Sequence, residues 1–167
     1  MVAVNSQSEW PNEISDAYSP VRVIGKGGFA SVWMAKKKSG ATSVDNNNDD
    51  DDHVAIKLMK DDGYAEREIA ILSELSTDYP HPNIIRWICN CRTDTGMNCI
   101  VLSLARGPPL NAIISKNGAL GLVIAQTISR QLIDAIAYLH GHAGKFILLL
   151  LLCMSLYKYS MHYLSLI

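Results

Sequence analysis

The chain has little excess charge of either sign. Its 167 residues hold 15 Lys and Arg against 16 Asp and Glu, a formal net charge of −1. A near-neutral surface makes no global field, which excludes recruitment of nucleic acid or anionic lipid by charge alone. The N-terminus lacks an apolar run, so no secretory leader is expected and a cytoplasmic location is. Cysteines are few: Cys89, Cys91, Cys99 and Cys153. The Cys-x-Cys pair with one further thiol nearby has no fourth ligand at useful spacing. Buried free thiols in a reducing compartment are the expectation instead. The most consequential scarcity lies at the C-terminal end. Residues 135 to 167 contain no Asp, no Glu and no Asn, so that part offers neither a carboxylate base nor a carboxylate ligand for a hard cation.

What the chain does have is glycine at one telling place. Gly25, Gly27 and Gly28 fall between Val21-Arg22-Val23-Ile24 and Ser31-Val32-Trp33-Met34. Both flanks are β-branched or bulky, so the stretch reads as strand, glycine turn, strand. A hairpin tip without side chains can lower its backbone N–H groups onto an anion, because glycine takes no space and tolerates positive φ. Further on comes Val54-Ala55-Ile56-Lys57, a short apolar strand ending in a lysine. A buried, unpaired lysine would cost several kcal/mol, so Lys57 requires an anionic partner. A polyphosphate under the glycine hairpin would supply one.

The remaining segments arrange themselves around that pair. Residues 36–53 form a loop containing Asn46-Asn47-Asn48 and four consecutive aspartates. Like charges repel and bury no surface, so a solvated insertion is expected, and the spaced ligands and glycine of a calcium loop are absent. Tyr64 to Ser76 has helical period, with Ala65, Ile69, Leu72 and Leu75 in one stripe while Glu66 and Ser73 face away. Glu68 falls inside that apolar stripe, which is anomalous for a carboxylate. Ile84 to Cys91 and Met97 to Leu104 read as strands joined by the hairpin turn Thr93-Asp94-Thr95-Gly96. Leu110 to Ile114 begins a short helix that ends near Asn117-Gly118. Leu120 to His140 places Ile124, Ile128, Leu132, Ala135, Ile136 and Leu139 on one helical face.

Gly25-x-Gly27-x-x-Ala30-x-Val32 followed by Val54-Ala55-Ile56-Lys57 resembles the ATP-binding signature of the eukaryotic protein kinases, with Ala30 where the family has its third glycine. The resemblance implies an α+β, protein-kinase-like fold: an antiparallel five-stranded N-lobe with helix C, and the start of a helical C-lobe. It implies that ATP meets Ile24, Gly25, Lys26, Gly27, Gly28, Phe29, Ala30, Ser31 and Val32 in the loop, and Ala55 and Lys57 on the strand. Leu102 would be the gatekeeper behind the adenine, and Ser103 to Ala105 the hinge whose backbone bonds the base. Glu68 matches the helix C glutamate that pairs with the strand lysine. Ser103 stands where the family often has an acidic residue, and Pro109 where it often contacts the ribose. His81-Pro82-Asn83-Ile84-Ile85 is similar to the family's turn into its fourth strand.

The implied organisation is an N-terminal arm at 1–17, a partial kinase domain at 18–145 and a hydrophobic tail at 146–167. Past His142 the family's catalytic loop H-R-D-x-x-x-x-N and its D-F-G metal site have no counterpart, so a truncated C-lobe is expected and no catalytic residue is assigned. ATP is the implied cofactor. Magnesium belongs to the family, but no ligand for it is found here. The tail opens with 12 uncharged residues, Phe146 to Tyr157, short of the about 20 that a bilayer span needs. Gly144-Lys145-Phe146 can be encoded by GGU-AAG-UUU, which contains a splice-donor-like GUAAGU where the family pattern stops. Translated intron is therefore the leading account of the tail, and a membrane tether the alternative. The expected function is that of an ATP-binding kinase domain related to enzymes that move the γ-phosphate to protein Ser or Thr, inactive as this chain. The alternative is a pseudokinase that binds ATP, a protein partner or a chaperone.

Overall fold

The structure is a computed structural model that describes residues 10–38, 52–60, 63–77 and 80–141. The expected tail at 146–167, Cys153 and the Asn/Asp-rich centre of the insertion lie outside the described residues. Five strands, β1 (Tyr18–Lys26), β2 (Ala30–Lys37), β3 (His53–Met59), β4 (Trp87–Arg92) and β5 (Asn98–Ser103), form one sheet in the order β1-β2-β3-β5-β4. Every pairing is antiparallel, as expected. Among the described residues the α-helices that accompany it are α1 (Tyr64–Thr77), α2 (Leu110–Asn117) and α3 (Leu122–Gly141).

β3 is the middle strand, and from Val54 to Met59 it is buried on both sides. The two-residue period of a strand sorts its side chains between two apolar layers. Val54, Ile56 and Leu58 join Trp33, Ala35, Cys99 and Val101 on one face. Ala55 and Met59 join Ile100 and Leu102 on the other, where Ala65 and Leu72 of α1 cover them. Each large aliphatic side chain buried this way contributes about 1.5–3 kcal/mol relative to exposure. The stripe of α1 is wider than its sequence suggests. Ile71 is buried and Ile69 only half-buried, because Ile71 and Leu75 also pack against Leu139 of α3.

The first layer has a further cover, of which packing by Trp10 was expected and burial of Ile14 was not. Residues 10–17, expected to be part of a polar arm, lie on it: a 3-10 turn at Asn12–Ile14 inserts Ile14, and the Trp10 ring meets Trp33 edge-on at 5.6 Å. Polar bonds pin the arm down. The Lys38 N–H donates to the Ala17 carbonyl at 2.9 Å, Lys38 Nζ donates to the Ser15 carbonyl, and the Asp94 N–H donates to the Glu13 carboxylate. The bond from Asp94 holds the Glu13 carboxyl below its usual range.

The insertion is shorter than expected, since the β2–β3 ladder runs out to Lys36 paired with His53 and so takes in both ends of the loop placed at 36–53. At the other hairpin, the Gly96 N–H bonds the Thr93 carbonyl at 2.9 Å and the Thr93 N–H bonds the Met97 carbonyl at 2.8 Å. Gly96 sits at φ +78°, in the left-handed region. The glycines at 25, 27 and 28 do not: none has positive φ, so their use lies in the absence of a side chain.

α3 is held mainly through its C-terminal half. His81 Nε2 faces Asp134 Oδ2 at 3.3 Å, Asn83 Nδ2 donates to the same oxygen at 3.1 Å, and the His81 ring stacks on Tyr138 at 4.6 Å. The Asn83 N–H donates to His81 Nδ1 at 3.2 Å, leaving Nε2 to carry the proton toward Asp134. Ile128, Ala135 and Leu139 are buried, but Ile124 is 51% exposed and Leu132 37%, so the expected apolar face is covered only in part.

Two glycine substitutions separate conformation from space. No atom lies within 4 Å of a Cβ built at Gly96 or at Gly28. Gly96→Ala should therefore cost about 1–2 kcal/mol through its left-handed backbone alone, and Gly28→Ala less than about 0.5 kcal/mol, both read from urea unfolding midpoints. Equal losses at the two positions would contradict the assigned turn.

Candidate functional site

Lys57 Nζ lies 2.7 Å from both carboxylate oxygens of Glu68, and the two side chains are only 4% and 2% exposed. Strand and helix periods explain why they meet. Lys57 alternates with Ala55 and Met59 on the face of β3 that α1 covers. Ala65, Glu68, Leu72 and Leu75 recur along α1 at the three- and four-residue steps that define one helical side. Desolvating two ions costs several kcal/mol each, and a forked contact at this distance offsets that cost. The carboxylate in the apolar stripe thus has its reason: it faces the strand lysine, as the sequence led us to expect.

Register carries the glycine hairpin to the same place. Gly25 pairs with Val32, Val32 with Lys57, and Lys57 with Ile100, a straight row across four strands. Partners directly opposite in a ladder project from the same face. The hairpin tip is closed by the Gly27 N–H donating to the Ala30 carbonyl at 2.8 Å, with Lys26 paired to Ser31 just below it. Phe29 stands at the tip, 69% exposed. A register shift between Val23 and Gly25 lets one extra residue, Ile24, oppose the return strand. Ile24 and Val32 then join the apolar group that contains Ala55, Leu102, Leu104 and Ala105.

The hinge segment is partly committed already. The Ser103 N–H donates to the Arg86 carbonyl at 2.8 Å, and its Oγ accepts the Arg86 N–H at 3.0 Å. That N–H belongs to the sheet edge and is not available to a base. Arg86 was not singled out from the sequence, and neither was Asp134; both act across the fold, with no local pattern to mark them. Two cavities, about 320 Å³ beside Leu75, His81 and Ile85 and about 490 Å³ beside Asn83, Arg130 and Asp134, include neither Lys57 nor Glu68. Among the described residues no group of three or more His, Cys, Asp or Glu is placed to hold a metal ion.

A family model described as "Protein kinase domain" matches residues 18–147. The chain belongs to the protein kinase family. A crystal structure of Rad53 1-466 in complex with AMP-PNP superimposes with a TM-score of 0.61 at 26% identity, over 82% of this chain and 33% of that one. "Mitogen-activated protein kinase kinase kinase 2" of Arabidopsis thaliana is 29% identical over 86% of this chain and 22% of its own length. "Serine/threonine-protein kinase PrkC" of Bacillus subtilis is 31% identical over 76% of this chain and 18% of its own. The kinase chain here therefore spans about a fifth of the length of these curated relatives. In this kinase fold the sheet and α1 correspond to the expected N-lobe with helix C, and α2 and α3 to the start of the helical lobe.

A double-mutant cycle tests the ion pair. Lys57→Met or Glu68→Leu alone should each cost about 3–5 kcal/mol, because each strands a buried charge. The double variant should recover part of that loss, since no charge is left to desolvate. Additive losses in chemical denaturation would mean that the two side chains do not share one interaction.

Proposed function

We propose that this chain is an ATP-binding kinase N-lobe of the Ser/Thr type, and that its 167 residues alone do not transfer phosphate. The observation that carries the reading is the buried Lys57–Glu68 pair in register beneath the glycine hairpin. ATP fits the residues present. Ile24, Val32, Ala55 and Leu102 offer an apolar wall for a flat base, Gly25, Lys26, Gly27, Gly28, Phe29, Ala30 and Ser31 a cover for phosphates, and Lys57 a cation. Base contact falls to the remaining backbone groups of Ser103 and Ala105. Glu68 keeps the Lys57 ammonium at a fixed point on the sheet, so an arriving phosphate meets a cation already oriented. The Ser/Thr preference rests on the relatives, several of which are named serine/threonine-protein kinases.

Absence of transfer follows from the residues available. Phosphoryl transfer in this family depends on a positioned metal and on a carboxylate near the acceptor hydroxyl. Residues 135–167 contain no Asp, Glu or Asn to supply either. A second reading, binding of a protein partner or chaperone, is favoured by the exposed Leu122, Val123, Ile124 and Ile133 on α3. Tethering by the tail is a third; no helix among the described residues is long and apolar enough to cross a membrane, and membrane fractionation of the whole chain tests it.

ATP should bind the purified chain with little dependence on magnesium. Lys57→Met should weaken binding about tenfold or more, the value of a charge-assisted hydrogen bond. Calorimetric titration with and without magnesium measures both; a strong magnesium requirement would reveal a metal site outside the described residues. With labelled ATP and a generic protein acceptor the chain should show no transfer. Turnover that disappears in Lys57→Met would overturn this part of the reading.

A further inference from the structure

The three cysteines of the described residues are gathered in one place. Cys91 on β4 is the direct ladder partner of Cys99 on β5. Cys89, two residues before Cys91 along the same strand, projects from the same side of β4, and its Sγ is 3.9 Å from the Tyr18 hydroxyl. Exposure falls in order: Cys89 is open to solvent, Cys91 half-buried and Cys99 fully buried.

Opposed residues in an antiparallel ladder have Cα atoms about 4.5–5.5 Å apart. A disulfide spans Cα separations of about 4.4–6.8 Å. Cys91 and Cys99 are paired directly across the ladder, so their side chains leave the sheet on the same face. Cys89 and Cys91 are less well placed, because two residues of extended strand span about 6.6–6.8 Å. Burial pushes the Cys91 and Cys99 thiols up, so both rest protonated and their reaction with an oxidant is slow, waiting on loss of the Cys91 proton.

We propose that Cys91 and Cys99 are a reversible dithiol pair that an oxidant converts to a disulfide tying β4 to β5. With a hydroperoxide as oxidant, Cys91, the pair's solvent-reached member, attacks oxygen. The S–O bond forms, the O–O bond breaks, and the alcohol or water leaves with the thiol proton. Cys99 then attacks the Cys91 sulfur, the S–S bond forms, the S–O bond breaks, and water leaves. The two sulfurs lose two electrons together, and the hydroperoxide gains them. The link would lie one residue from Ile100, the ladder partner of Lys57, and so would brace the strand beside the candidate nucleotide site without touching it. It does not depend on nucleotide binding.

The experiment treats the whole chain with hydrogen peroxide, blocks remaining thiols by alkylation and digests with trypsin without reduction. Trypsin cuts after Arg92, so the expected product joins Trp87–Arg92 to the peptide of residues 93–106, and dithiothreitol releases it. The link should persist in Cys89→Ser and fall to background in Cys91→Ser. Oxidation in urea should remove the preference, letting Cys89 and Cys153 compete for Cys99. The proposal is overturned if the folded chain links Cys99 to Cys89 or Cys153, or if Cys89 alone is oxidised while Cys91 and Cys99 are recovered alkylated.

Discussion

A lysine and a glutamate buried together set the geometry of this lobe. Neither Lys57 nor Glu68 can leave the other without exposing a charge to a low-dielectric interior. One belongs to the central strand and the other to α1, the helix packed on that face of the sheet among the described residues. Their contact therefore fixes the rotation and the height of α1 over β3 more tightly than apolar packing could. Aliphatic side chains tolerate small slides, whereas a forked contact at 2.7 Å does not.

Around that fixed point the sheet works as a ruler. Gly25, Val32, Lys57 and Ile100 lie in one transverse row, so the glycine hairpin, the cation and the strand leading to the hinge are aligned by main-chain hydrogen bonds alone. A slip of one residue in either neighbouring pairing would turn Lys57 toward the layer that holds Ile56 and Trp33. The same ruler opposes Cys91 to Cys99. One candidate site and one thiol pair thus share a cause, though their chemistries are unrelated.

Much of this was legible in the residues. Bulky β-branched flanks, the Thr93–Gly96 turn and the carboxylate in an apolar helical stripe marked strands, a hairpin and an anomaly locally. The five-stranded sheet and the pairing of Glu68 with Lys57 were what the resemblance to the protein kinases implied. What escaped was set by distant partners. Ile14 sits in a segment too short to show any period, yet it is 4% exposed. Ile71 is buried because α1 has a second neighbour in α3, which a single-stripe reading omits. Asp134 clasps His81 from another helix and carries no mark of doing so. The opposition of Cys91 and Cys99 could have been found: counting outward from the pair Thr93 and Met97, which closes the hairpin, leads to it in two steps.

The arm at residues 10–17 bears on how the lobe comes into being. Glu13 and the Asp94 main chain that it holds are 81 residues apart along the sequence. Made before the strands it covers, the arm has nothing to lie on until β5 has paired with β3 and β4 has turned back beside it. Closing so long a loop costs entropy that only the finished sheet can offset. The arm, made before the sheet, is thus among the last parts of the lobe to settle. Until it does, Trp33, Cys99 and Val101 face water, and the nascent lobe presents a greasy back to whatever waits at the tunnel mouth.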